Sequence, residues 1–118
     1  MARLERTERA EAEAEAETLE SRTARNLAEA GAELDSMVAE ADAAIRTATA
    51  NASHRLADMR TAADGIREAA AELRAIVSRT ARRADGPAEG RAAWAAMVMA
   101  AVSVASANAR TYWESVAE

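Results

Sequence analysis

Between residues 27 and 83, positions recur at alternating steps of four and three. The stops are Leu27, Gly31, Leu34, Val38, Ala41, Ile45, Ala48, Ala52, Arg55, Met59, Ala62, Ile66, Ala69, Leu73, Ile76, Thr80 and Arg83. Most are apolar, and Arg55 is the only charge before the last stop. This is a heptad seam, the mark of long helices packed side by side. Leu27, Leu34, Val38, Ile45, Met59, Ile66, Leu73 and Ile76 are its large side chains and the expected helix-packing residues. One half-seam is the more prominent, with Val38, Ile45, Ala52, Met59, Ile66 and Leu73 seven apart. Gly31 falls on the seam, where a missing side chain permits close backbone approach.

Two breaks interrupt the pattern. Residues 47–54 read Thr-Ala-Thr-Ala-Asn-Ala-Ser-His, a stretch of weak helix propensity. Asn51 suits the end of one helix there, and Ser53 the cap of the next. Asp85-Gly86-Pro87 is the stronger stop. Gly ends a helix readily, and Pro is tolerated in the first turn of the next. The expected fold is therefore all-α: a long-helix antiparallel three-helix bundle or coiled coil. Its helices span about 20–50, 53–84 and 88–117, one bundle over residues 20–117. The heptad register runs across 47–54 unbroken, which leaves an alternative. In it a continuous helix over 3–84, followed by a helix over 88–117, assembles as a dimer or oligomer.

Residues 1–19 are polar on every side. Glu11, Glu13, Glu15 and Glu17 alternate with alanines. Ala and Glu favour helix over strand, so composition overrides the period of two, and a polar acidic helical extension is expected. After Met1, Leu4 and Leu19 are its only large apolar residues.

The third segment is different. Residues 92–107 carry no charge, and Arg91 and Arg110 bound the apolar window. A helix apolar all round is buried in protein or sits in lipid. The window meets the lower edge of the roughly 17–25 residues that a membrane span needs. Trp94 stands near one end and Tyr112 and Trp113 at the other, as in an aromatic belt, with Arg79, Arg82, Arg83 and Arg91 on the cytoplasmic side. Against insertion stand the many alanines and Ser103, Ser106 and Asn108. Trp94, Met97, Val98, Val102, Tyr112 and Trp113 are the hydrophobic residues of this third helix, and a central helix of the bundle is the favoured reading.

Charge sharpens the picture. The chain has net charge −5, unevenly spread. Residues 1–45 hold 5 Arg against 12 acids, and residues 46–91 hold 9 Arg against 6 acids. An acidic segment followed by a basic one favours pairing between them, within a chain or between chains. The acidic whole argues against nucleic acid as a partner. The 118 residues fit one domain, and no Cys offers a disulfide, a thiolate or a zinc ligand. All 15 basic residues are Arg; with the many alanines they point to a GC-rich, bacterial coding sequence. The charged first 20 residues do not form a secretory signal, so a cytoplasmic protein is expected, with peripheral or C-terminal membrane association as the alternative.

Candidate chemistry is sparse. Ala52-Ser53-His54-Arg55-Leu56 resembles the phosphoacceptor box of sensor histidine kinases, which implies phosphotransfer through His54. The sequence departs from that box: Arg55 stands where an acidic residue follows the His, and no Pro comes a few residues on. His54 and Asp58 share a helix face, but a metal site needs three or four ligands. The carboxylate pairs Glu29–Glu33 and Glu68–Glu72 lie on polar faces, where nothing separates their acidities for acid–base work. Met37, Met59, Met97 and Met99 fall at core or near-core positions. No catalytic residue, cofactor site or metal site is expected.

The segment Ala105-Ser106-Ala107-Asn108-Ala109-Arg110-Thr111-Tyr112-Trp113-Glu114, in an alanine-rich and cysteine-free helical chain, resembles the phasins. These coat bacterial polyester granules, and the resemblance implies helices that open onto a hydrophobic surface. The leading expectation is a non-enzymatic helical scaffold or adaptor, a homo-oligomer or the binder of a helical protein. The alternative is a lipid- or polymer-surface protein acting through residues 92–113.

Overall fold

The computed structural model describes the backbone of residues 2–83 and 86–117. Asp85, the first residue of the expected stop, lies outside the described residues, as does the side chain of Leu4. Three helices follow in order: α1 (Ala2–Ala50), α2 (Leu56–Arg82) and α3 (Ala88–Val116). They pack up-down-up, and the chain measures 76 × 22 × 16 Å. The 49 residues of α1 span about 74 Å at 1.5 Å per residue, so α1 alone sets that length. The polar residues 2–19 are one helix with 20–50.

The turn near Asn51 is real, and the uninterrupted helix over 3–84 is not formed. Helix α1 ends in a Schellman motif. The Ser53 N–H donates to the Ala48 carbonyl at 3.0 Å, and the Ala52 N–H to the Thr49 carbonyl at 3.2 Å. The left-handed position between them is Ala52, at φ 49°. Glycine usually takes that role, which is why the stop is muted in the sequence. The Ser53 hydroxyl accepts the Arg55 N–H at 3.2 Å, and α2 starts at Leu56 rather than 53. At the second break, α2 ends at Arg82, where residue 84 was expected. Gly86 has φ +91°, and Pro87 is the N-cap of α3.

Helix α1 is the organising rod, and both others lie along it. Its buried stripe is Leu27, Ala30, Leu34, Met37, Ala41 and Ala48. Val38 and Ile45, from the half-seam expected to lead, sit half-buried on its flank. In α2 the most buried positions are Met59, Ala63, Ala70 and Thr80, with Ile66, Leu73, Ile76 and Val77 half-buried. Ala62 and Ala69, stops of the expected seam, instead line a groove of ≈300 Å³ between α2 and α3, with Met37, Ala105 and Tyr112. One register per helix was too simple, because each of these helices faces two neighbours. Gly31 permits no close approach: a Cβ built there meets nothing within 4 Å.

The division of charge becomes a set of ion pairs between helices. Arg67 on α2 meets Asp42 on α1 at 2.6 Å, and Arg74 on α2 meets Asp35. Arg91 on α3 reaches Glu20 at 3.2 Å, and Arg110 lies 3.3 Å from both Glu33 and Glu40. In each of these pairs the acid comes from α1 and the arginine from a later helix. Partial exposure keeps each pair energetically modest, but together they fix the antiparallel and parallel registers. Hydrogen bonding to Asp42 raises the Arg67 guanidinium above its ordinary value, and Glu40 does so chiefly for Arg110. While the partner carboxylates are ionised, a raised arginine stabilises below the ordinary guanidinium range and loses that effect as pH rises through it.

Candidate helix-docking surface

Helix α3 buries a single stripe: Ala95, Val98, Val102, Ser106 and Ala109. These recur at three and four residues, as one packed face requires. The stripe is mostly small, so α3 lies close to α1. Its polar member is satisfied, since the buried Ser106 hydroxyl donates to the Glu33 carboxylate, which Arg110 also reaches.

The expectation of a helix buried all round does not hold within this chain. Only 28% of the most apolar 18-residue window of α3 is buried. Beside the buried positions, one residue before each and two before Ser106, runs a second stripe: Trp94, Met97, Ala101, Val104 and Asn108, all exposed. Trp94 is 45% exposed, Met97 62% and Val104 62%. Met97, expected at a core position, therefore faces out, while Met37 and Met59 are core and Met99 is half-buried. Beside the outer stripe lie Ala93, Ala96, Ala100, Ser103 and Ala107, also exposed. The result is a charge-free face, with three large apolar side chains bordered by small ones.

Each end of this face carries an aromatic group. The Trp94 indole N–H donates to the Thr80 hydroxyl at 3.0 Å, and that hydroxyl donates to the Ile76 carbonyl at 2.8 Å. Trp94 thus ties α3 to α2 while its ring stays open to solvent. Two shallow hollows of ≈320 and ≈360 Å³ meet at it, one lined by Arg83, Pro87 and Arg91, the other by Ile76, Arg79 and Arg83. At the far end Tyr112 and Trp113 pack edge to face at 5.0 Å, both half-buried. The Trp113 indole N–H is shielded and has no hydrogen-bond partner.

His54 sits exposed in the turn between α1 and α2, at the rim of a ≈330 Å³ hollow lined also by Asn51, Arg55, Met59 and Trp113. Among the described residues, no three of His, Cys, Asp or Glu are gathered to hold a metal ion. The helix face expected to carry both His54 and Asp58 is not formed, because His54 precedes α2. No protein family, curated protein or solved structure was found to match this chain.

The expected third-helix residues therefore divide. Val98 and Val102 are core, Tyr112 and Trp113 are half-buried, and Trp94 and Met97 form the outer face with Val104. Val104 is the residue that reading by periodicity passed over. With no charge between 92 and 109, nothing in the sequence marks which of two adjacent apolar stripes looks outward.

Proposed function

We propose that this chain is a non-enzymatic helical scaffold or adaptor, cytoplasmic, working through helix–helix contact. The outer stripe of α3 is its docking face, for a second copy or for another helical protein. One observation carries this reading: Trp94, Met97 and Val104 stand exposed at heptad spacing on a stretch of α3, residues 92–109, without charge. A solvated helix face has no use for such side chains, and an exposed apolar strip bordered by small residues suits the approach of another helix. Sedimentation equilibrium and partner capture with Val104→Asp and Met97→Glu test it. Both variants should abolish association and leave the helical content of the folded chain unchanged. Retention of every association by both variants would overturn it.

A second reading is support for a lipid or polymer surface. Helix α3 is long and apolar enough to cross a membrane, and it has aromatic side chains near both ends. Helix-packing is favoured because the inner stripe, the Ser106–Glu33 hydrogen bond and the Arg110 ion pairs commit α3 to α1. Flotation with lipid vesicles separates the two. Under the first reading, full-length protein stays in the dense fraction.

A further inference from the structure

The first third of α1 extends past the other two helices. The Asp42–Arg67 and Asp35–Arg74 pairs set α2 antiparallel, so the end of α2 lies opposite about residue 27 of α1. The Glu20–Arg91 pair places the start of α3 about ten residues lower, opposite about residue 17. The first buried α1 residue is Leu27, and the described side chains from 6 to 15 are all exposed. This projecting arm is acidic: Glu8, Glu11, Glu13 and Glu15 stand against Arg9 over residues 8–15. Beside its root lies the opposite charge. Residues 74–83 hold Arg74, Arg79, Arg82 and Arg83 and no acid. Arg79 and Arg82 are exposed, and Arg79 shares a hollow with Trp94.

Elsewhere in the molecule, α1 acids meet arginines of α2 and α3. For the acids of residues 8–15, Arg79 and Arg82 of the same chain are geometrically out of reach. The arm is continuous helix, and residues 8–15 lie about 20–30 Å along the axis from the level of Arg79 and Arg82. A rigid rod does not fold back over that distance. A second copy, turned end for end, meets the need on both sides at once. Its arm lies along the Arg79–Arg82 edge and over Trp94, while its own basic end receives the first arm.

We propose that the chain forms a two-fold antiparallel dimer, in which the acidic arm of each copy docks on the arginine-flanked Trp94 end of the other. This rests on the α3 outer stripe as a docking face and names what covers its first turns. The contact is self-complementary, as a two-fold interface must be. Being largely electrostatic and exposed, it weakens with salt.

The test uses two full-length variants, Glu11→Arg/Glu13→Arg and Arg79→Glu/Arg82→Glu. All four positions are exposed, and thermal unfolding checks that each variant remains folded. In sedimentation equilibrium at low salt the wild type should be a dimer. Each variant alone should dissociate at least tenfold more readily, because like charges then face each other. Mixed in equal amounts, they should restore the dimer, since each variant's arm now meets a complementary end. A wild type that is monomeric at every concentration, or a mixture that dissociates like either variant alone, overturns the assignment. Val104→Asp makes the two readings distinguishable. If it abolishes association while the charge variants associate normally, the docking face stands and the arm contact falls.

Discussion

The two stripes of α3 run side by side and follow opposite rules. The inner one (Ala95, Val98, Val102, Ser106, Ala109) is buried and mostly small. The outer one (Trp94, Met97, Ala101, Val104, Asn108) is exposed, yet it holds the bulkier apolar side chains Trp94 and Met97. If burial in the bundle were the sole use of apolar mass here, the sizes would be reversed. The close α1–α3 approach needs small residues, and the large ones point to a contact that the bundle itself does not make.

Val102 and Val104 allow the sharpest break of this comparison, being the same residue type at 0% and 62% exposure. Val102→Asp buries a carboxylate without a partner and should cost about 3 kcal/mol or more. Val104→Asp should change folding stability by no more than about 0.5 kcal/mol, as exposed substitutions do. Chemical denaturation of both proteins reads the difference. Equal losses would mean that the two stripes are equally buried in solution, and the division of α3 into an inner and an outer face would be wrong.

The two tryptophans make a finer test, because their N–H groups differ. Trp94→Phe removes a hydrogen bond to Thr80 and should cost about 0.5–1.5 kcal/mol, although the ring is largely exposed. Trp113→Phe removes a shielded donor that has no partner. The relief of that desolvation cost offsets lost packing, so stability should stay within about 1 kcal/mol or rise. Urea unfolding of the pair should rank Trp94→Phe as the more damaging. The reverse order would place the anchor of α3 at its other end.

Much of this architecture was legible before any coordinates. Leu27, Leu34 and Met59 announced the core by spacing, and the surplus of acid before residue 45 announced the ion pairs of α1 with α2 and α3. The turn was half-visible. Asn51 and Ser53 suggested it, but Ala52 occupies the left-handed position that glycine would have advertised. The orientation of α3 was hidden for a different reason. Amphipathic reading works by contrast between apolar and charged positions, and between 92 and 109 there is no charge to supply contrast. Small and large apolar side chains then carry the phase, and size does not show which face meets a neighbour inside the chain.

Ala52 itself offers a stabilising change. A left-handed conformation costs an L-residue roughly 1–2 kcal/mol, and glycine adopts it freely. Against this stands the greater backbone entropy that glycine loses on folding. Ala52→Gly should therefore gain about 0.5–1 kcal/mol, read as a higher thermal midpoint. A loss instead would show that the α1–α2 turn does not hold its Schellman geometry in solution.

Gly31 and Gly65 give effects as small as that at Ala52 and bear on the same contrast between packed and open helix faces. Both lie inside helices, and a Cβ at either meets nothing within 4 Å. Replacing glycine by alanine there stiffens the unfolded chain without crowding the folded one, so each change should stabilise by about 0.5–1 kcal/mol. Gly65 also borders the groove that Ala62, Ile66, Ala69 and Tyr112 line. If Gly65→Ala stabilises the monomer yet weakens self-association, that groove belongs to the interface between copies. If it stabilises both alike, the docking surface is confined to the outer stripe of α3 and the arm that reaches it.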